Sequence, residues 1–261
     1  MDVKEDAGWG TLSDELDAWG NAGRRARFWW RDDDAGGPTA ALDRLLRLST
    51  EVGAPLALAV IPKRLRPGIG AQVAAAPGVR VVQHGYAHIN HAAGTNRDGA
   101  CELCLERGLE VIGAELADGL RLLEAAFPGR VAPVLVPPWN RIDPGVAAAL
   151  PAMGYRGLST FGPREASPVV PGLTQVNAHC DPVKWKRGGR FAGLSACLGA
   201  IVGQLRRARK EAVAEAPAVG LLSHHLDFDE EAWAFTESLV ALVNAHPNAT
   251  FAAVDALFPT V

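Results

Sequence analysis

The sequence has 261 residues, 48% of them hydrophobic and 21% charged, with a formal net charge of -3. That balance fits a soluble globule with a sizeable core, built as one large or two small domains, and one α/β barrel commonly uses about this much chain. The slight acidity argues against a broad nucleic-acid surface and against an anionic-membrane surface, so neither partner is expected. Residues 1–6 carry three acids and no apolar run follows. Neither a secretory signal nor a bilayer span is expected, and the location read from this is cytoplasmic. The basic runs at 24–27 and 206–210 read as solvated helix ends. Cys101 and Cys104 form a C-x-x-C pair, but neither Cys180 nor Cys197 completes a second one, so reduced thiols on a helix are expected.

In chain order, residues 11–26 read as a capped amphipathic helix. The run Phe28-Trp29-Trp30-Arg31 reads as a buried strand that ends in three carboxylates, Asp32, Asp33 and Asp34, before Ala35-Gly36-Gly37-Pro38 breaks the chain. Adjacent acids repel unless something positive sits among them, which points to a metal ion or a catalytic constellation. The alternative is an acidic helix N-cap. Helices follow at 39–52, 69–76, 102–127, 143–153, 194–214 and 230–245. Strands are expected at 55–61, 79–83, 131–136, 157–160, 173–176, 219–223 and, weakly, 250–252. Residues 93–99 and 161–171 read as loops.

This alternation means parallel strands with crossover helices, and short, wholly apolar strands fit a barrel better than an open sheet. No Gly-x-Gly-x-x-Gly follows the first strand, which removes the dinucleotide reading. In such folds the site forms at the carboxyl ends of the strands. There the sequence collects Asp32–Asp34, His84 and His88, Trp139-Asn140-Arg141, His179 and Asp181, and His224-His225. His84 and His88 face the same way if the chain turns helically after Gly85. Two imidazoles and one carboxylate suit zinc or a similar divalent ion, whereas an isolated H-x-x-x-H more often caps a loop. His91 is either a partner behind these ligands or a plain loop residue.

These residues resemble the polysaccharide deacetylases of the NodB-homology superfamily, carbohydrate esterase family four, over about residues 28–257. The resemblance implies a distorted (β/α)7 barrel, α/β with parallel strands, as one domain over 1–261 with 1–26 as an N-terminal helical extension. It makes Asp33 the catalytic base and Asp34 a metal ligand, with Ala35 in the usual glycine position. His84 and His88 complete the metal site. Pro137-Pro138-Trp139 lines the substrate groove, with Asn140 and Arg141 beside it, so Pro138, Trp139, Asn140 and Arg141 are the substrate-binding candidates. Leu222-Ser223-His224 supplies the catalytic acid, His224.

The chain departs from the family pattern in three places. Val136 stands where an arginine usually orients the catalytic aspartate, leaving Arg141 or Arg31 to take over. Gly85 replaces a common Ser or Thr, and His225 beside His224 is a second candidate acid. The wording WRDDDA, QHGYAHINH, VPPWNR and LLSHHLDFDE resembles a bacterial branch apart from the secreted chitin and peptidoglycan deacetylases.

The resemblance implies a metal-dependent hydrolase of N-acyl amide bonds, deacetylating an N-acetylated sugar or oligosaccharide through a metal-bound water. One divalent ion is implied, zinc first, with cobalt, nickel and manganese as alternatives. Trp139 is a candidate for stacking on a sugar ring, and Trp185 reads as rim packing. Two alternatives stand beside this: a hydrolase of a small cyclic or linear amide or ureide, and a catalytically impaired carbohydrate-binding barrel.

Overall fold

The computed structural model describes residues 3–92, 99–163, 170–211 and 217–259. Most of the two predicted loops at 93–99 and 161–171, and the end of the predicted 194–214 helix, lie outside the described residues.

Helix α1 (Val3–Asn21) leads into β1 (Ala26–Ala35). Alternation then runs through α2 (Ala40–Val52), β2 (Leu56–Val60), α3 (Ile69–Ala74), β3 (Val79–His84), α4 (Leu109–Ala126), β4 (Val131–Val136), α5 (Pro144–Ala149), β5 (Gly157–Leu158) and β6 (Thr174–Gln175). A small antiparallel hairpin, β7 (Val183–Lys184) with β8 (Arg190–Phe191), precedes α6 (Leu194–Lys210) and β9 (Val219–Ser223). The chain ends with α7 (Glu230–Ala245), β10 (Ala249–Phe251) and α8 (Val254–Leu257).

Parallel pairing runs β1-β2-β3-β4-β5-β6 on one side, and β9 pairs with the other edge of β1. The ring closes where the segment after β6 meets β9 through the Cys180–Leu221 bridge, with Leu222 N donating to Cys180 O at 2.8 Å. Seven strands therefore circle the barrel, the expected (β/α)7 arrangement. β10 adds to the start of β1, on the edge that β2 takes further along.

A strand's two-residue period decides which residues of β1 reach the interior. Phe28 and Trp30 pack with Leu56, Leu58 and the helix residues Leu42 and Leu45, so they face the helical layer. Trp29 packs with Ala57, Ala59, Val82, Val134 and Val136, under a plug made by Val254, Leu257 and Phe258. Residues of Trp29's parity, Arg31 and Asp33, therefore enter the barrel, while Asp32 points outward with Trp30. Each fully buried large side chain here contributes roughly 1.5–3 kcal/mol relative to exposure.

Local chemistry sets the helix limits. Thr39 caps α2 by accepting Leu42 N at 3.0 Å, and Gly53 ends it in the left-handed region, φ 66°. The alternative reading of Asp32–Asp34 as an acidic N-cap does not apply, because all three belong to β1 and Thr39 caps α2. The first predicted helix overruns: α1 stops at Asn21, and Ala26 already belongs to β1. The predicted 102–127 helix begins only at Leu109, so the C-x-x-C pair sits on an irregular segment rather than a helix. All four cysteines are buried and free.

The basic run 206–210 closes α6 with Arg206, Arg207 and Lys210 exposed, as expected, whereas 24–27 leads into β1 instead of ending a helix. Arg206 and Arg209 hold the buried Glu15 of α1 at 3.3 and 2.7 Å, and Arg24 donates to the carbonyls of Arg209 and Glu211. Together they tie α1 to α6. No helix among the described residues is long and apolar enough to cross a membrane.

Candidate active site

The carboxyl ends of β1, β3 and β4 bring a compact cluster together. Asp34 Oδ1 lies 3.2 Å from His84 Nε2 and 3.3 Å from His88 Nε2. One ligand atom from each residue lies within 4.8 Å of the others, so the three can hold a metal ion. The helical turn expected after Gly85 is absent. Gly85 (φ 52°) and His88 (φ 58°) both take left-handed backbone and swing the second imidazole back over the first.

The tautomer of His84 tests whether a cation fits. His84 Nδ1 lies 2.9 Å from Val136 O, an acceptor only, so Nδ1 carries a proton. In neutral imidazole the Nε2 lone pair then faces the Asp34 carboxylate, two acceptors in contact, which either a proton on Nε2 or a shared cation resolves. The separations agree: two atoms each about 2.1 Å from one ion at a tetrahedral angle lie about 3.4 Å apart.

Charge at the cluster points the same way. Burial acts to lower the His84 pKa, yet the carboxylates of Asp33 and Asp34 raise it. Burial and then the His84 charge lower that of His88. Burial would raise the Asp34 pKa, but its hydrogen bond to His84 and the nearby histidine charges hold it below the usual carboxylate range. The carboxylates thus favour positive charge on His84 but not on both imidazoles at once.

Asp33 is 2% exposed and sits against a fully buried Arg31. Arg31 Nε lies 2.9 Å from Asp33 Oδ1, and Nη2 donates to Oδ2 at 2.9 Å. The same guanidinium donates to Asn140 Oδ1 and Ser159 Oγ, each at 2.6 Å, and to Thr160 O at 3.3 Å. Of the two arginines expected to stand in at Val136, Arg31 is the one that meets Asp33, and the Val136 side chain packs in the barrel interior. Arg141 does not: it is exposed and donates to Ala100 O at 3.2 Å.

Around this core, Pro138 is buried and Trp139 lays its ring 4.3 Å from that of His88. A Cβ on Gly85 would meet Pro138, which leaves no room there for a serine or threonine. Asp34, His88, Trp139 and Asn140 are the non-glycine residues with positive φ among the described residues, and all four belong to this site. Such backbone costs of order 1–3 kcal/mol each and persists only where its surroundings enforce it.

The two adjacent histidines separate by environment. His225 Nδ1 lies 2.5 Å from Asp32 Oδ1, and Asp32 Oδ2 accepts from Ser223 Oγ at 2.7 Å and from His225 N at 3.1 Å. His224 instead sits 3.7 Å from Asp181 Oδ1, beneath the edge-on ring of Trp185 at 4.7 Å. Burial acts against its proton, but Asp181, Asp33 and Asp34 outweigh it and push the His224 pKa up to about 9.

Trp185, read as rim packing from the sequence, thus contacts the candidate acid and donates to Asp181 Oδ2 at 2.9 Å. The β7–β8 hairpin carries it there. His179 lies apart from the cluster. Its Nδ1 accepts from Gly220 N at 3.0 Å, and burial, then the Arg207 charge, push its pKa down to about 4. His91 serves as a loop residue, its backbone N–H bonding Cys101 O at 2.9 Å.

No protein-family model and no curated protein matches the sequence. Solved structures do match in fold. A Mycobacterium smegmatis protein assigned to the polysaccharide deacetylases aligns with TM-score 0.59 at 16% identity, over 88% of this chain and 87% of that one. The chain has the carbohydrate esterase family 4 fold. A peptidoglycan N-acetylglucosamine deacetylase bound to a hydroxamate-type benzamide aligns at TM-score 0.56 and 13% identity, over 91% and 90% of the two chains. A family 4 pseudoenzyme from Bacillus anthracis aligns at 0.55 and 15%, over 90% of this chain and 66% of that one. Because the family 4 fold hosts a pseudoenzyme, function must be argued from the site.

Proposed function

We propose that this protein is a metal-dependent hydrolase of N-acyl amides, acting as a deacetylase of an N-acetylated sugar or oligosaccharide. The observation that carries the reading is the Arg31-clamped Asp33 carboxylate beside the Asp34–His84–His88 cluster, on the rim that also presents His224. Asp34, His84 and His88 would hold one divalent ion, with zinc matching the mixed nitrogen and oxygen donors. Such an ion supplies an activated water and polarises the amide carbonyl.

The remaining roles fall to the chain's own groups. Asp33, with its carboxylate fixed by Arg31, accepts the proton of the attacking water. Asp181 keeps His224 protonated near neutral pH, so His224 donates to the leaving amine. The Asp32 contact takes His225 out of contention for that step. Trp139 and Trp185 present ring faces and edges to a sugar, with Pro138 and Asn140 supporting the first.

The test is acetate release from N-acetylglucosamine oligomers by zinc-loaded protein, with Asp33→Asn and His224→Gln alongside. The expected result is turnover in the wild type that falls by at least about 100-fold in each variant, the usual contribution of a positioned acid or base. Turnover of small amides or ureides, with none of the oligomers, would replace the sugar. Equal activity in Asp33→Asn would overturn the reading.

A further inference from the structure

The irregular segment between Cys101 and Cys104 carries a buried acid. Glu102 is 1% exposed, and its carboxylate lies under the loop that holds the histidines. Oε2 accepts from Tyr86 N at 3.0 Å, and Oε1 accepts from Ala87 N at 2.8 Å and Ile89 N at 3.4 Å. Its neighbours extend the clamp. Cys101 O accepts from His91 N at 2.9 Å, and Asn90 Oδ1 accepts from Cys101 N at 3.1 Å and Ala92 N at 2.9 Å.

These bonds bracket His88. Its backbone is left-handed, a conformation a histidine rarely takes unless neighbours impose it, and the N–H groups on either side of it, Ala87 and Ile89, both end on Glu102 Oε1. His84 needs no such help, being the last residue of β3 with its ring held by Val136 O. A Cβ on Gly85 would run into Glu102 Oε2, so the glutamate can sit where it does only because residue 85 is a glycine. A carboxylate buried among backbone N–H groups is a strong and directional acceptor.

We propose that Glu102 is the positioning residue of the metal site, acting through the backbone of residues 86–89 to hold His88 Nε2 on Asp34. This rests on the reading of Asp34, His84 and His88 as the ligand set. It assigns the departure at Gly85 a physical partner, the Glu102 carboxylate that takes the space a side chain there would need.

The test is a double-mutant cycle on zinc affinity, measured by competition with a chromophoric chelator on metal-free, full-length protein. Wild type, Glu102→Gln, His88→Ala and the double variant are compared. Glu102→Gln should weaken zinc binding by about 10- to 100-fold, as losses behind a ligand usually do. In the His88→Ala background the same change should weaken it no further than about twofold, because the ligand it positions is gone.

A purely structural role would lower unfolding stability equally in both backgrounds and leave zinc affinity intact. Unchanged affinity in folded Glu102→Gln, or losses that multiply in the double variant, would overturn the proposal. If Glu102→Gln does not fold, Glu102→Asp, which keeps the charge but withdraws it by one methylene, takes its place in the same cycle with the same criteria. A wild type that fails to bind zinc would overturn the ligand set itself. One that binds zinc without deacetylating sugars would overturn only the substrate.

Discussion

Arg31 and Asp33 stand two residues apart on β1, and the strand's period aims both into the barrel, where the Nε/Nη2 edge of the guanidinium meets both carboxylate oxygens at 2.9 Å. Neither side chain has water to fall back on. Breaking such a pair from one side leaves an uncompensated buried charge, so Arg31→Met should cost about 3–5 kcal/mol in urea unfolding. Arg31→Lys should recover little activity, because an ammonium cannot reproduce the fork. In steady-state kinetics the loss should fall on kcat more than on KM.

His224 makes stability and activity depend on pH in a defined direction. Its pKa rises from the ordinary 6.5 to about 9 in the fold. A raised pKa stabilises the fold fully below the unfolded value and stops doing so as pH climbs through the folded one. The stability advantage of metal-free wild type over His224→Gln should therefore shrink between pH 6.5 and about 9. Turnover should fall over the upper end of that range, and Asp181→Asn should move the fall to lower pH.

Asp32 belongs to the framework rather than to the reaction. Asp32→Leu should cost about 3–5 kcal/mol, since it strands His225 without its partner. Replacing both, as Asp32→Leu with His225→Phe, should recover part of that loss in urea unfolding. Equal losses in the single and double variants would contradict the pairing.

Zinc should raise the melting temperature of metal-free protein. At about 100 times the dissociation constant, mass action contributes about 2.7 kcal/mol. The shift should vanish in the His84→Ala/His88→Ala double variant and in Asp34→Ala. A scanning-fluorimetry titration reads all three.

Trp185 is half-exposed yet bonded to Asp181 and set against His224. Trp185→Phe keeps the ring and loses the N–H, while Trp185→Ala loses both. The alanine variant should lower kcat/KM about 2- to 10-fold, the range of a single aromatic contact, with phenylalanine between it and wild type.

The barrel was legible because the long strands are largely apolar runs, and β1, β3 and β9 run straight into Asp or His at ends that parallel strands put on one rim. Asp34, His84 and His88 could be grouped for that reason. What escaped was whatever depended on register or distant contact. Arg31 could not be chosen over Arg141 until the parity of β1 was fixed by Trp29 and Trp30. Trp185 looked peripheral because a two-stranded hairpin folds it back over His224. The H-x-x-x-H spacing suggested a helix, yet Gly85 and His88 achieve the same convergence through left-handed turns. Glu102 stayed hidden among cysteines because nothing local marks an acid that serves amides 13 to 16 residues upstream.

The left-handed backbone at Asp34, His88, Trp139 and Asn140 has a consequence for how this protein would respond to selection for heat resistance. Glycine relieves that conformation at no steric cost, so these four positions are where a substitution would release backbone strain, set against glycine's own entropy cost and, at Asn140, the loss of a partner for Arg31. Each would delete a carboxylate, an imidazole, an indole or the amide that braces Arg31. Thermostability screens blind to turnover would drift toward a sturdier barrel with an emptied mouth, and variants found that way would trace the outline of the site by what they had lost.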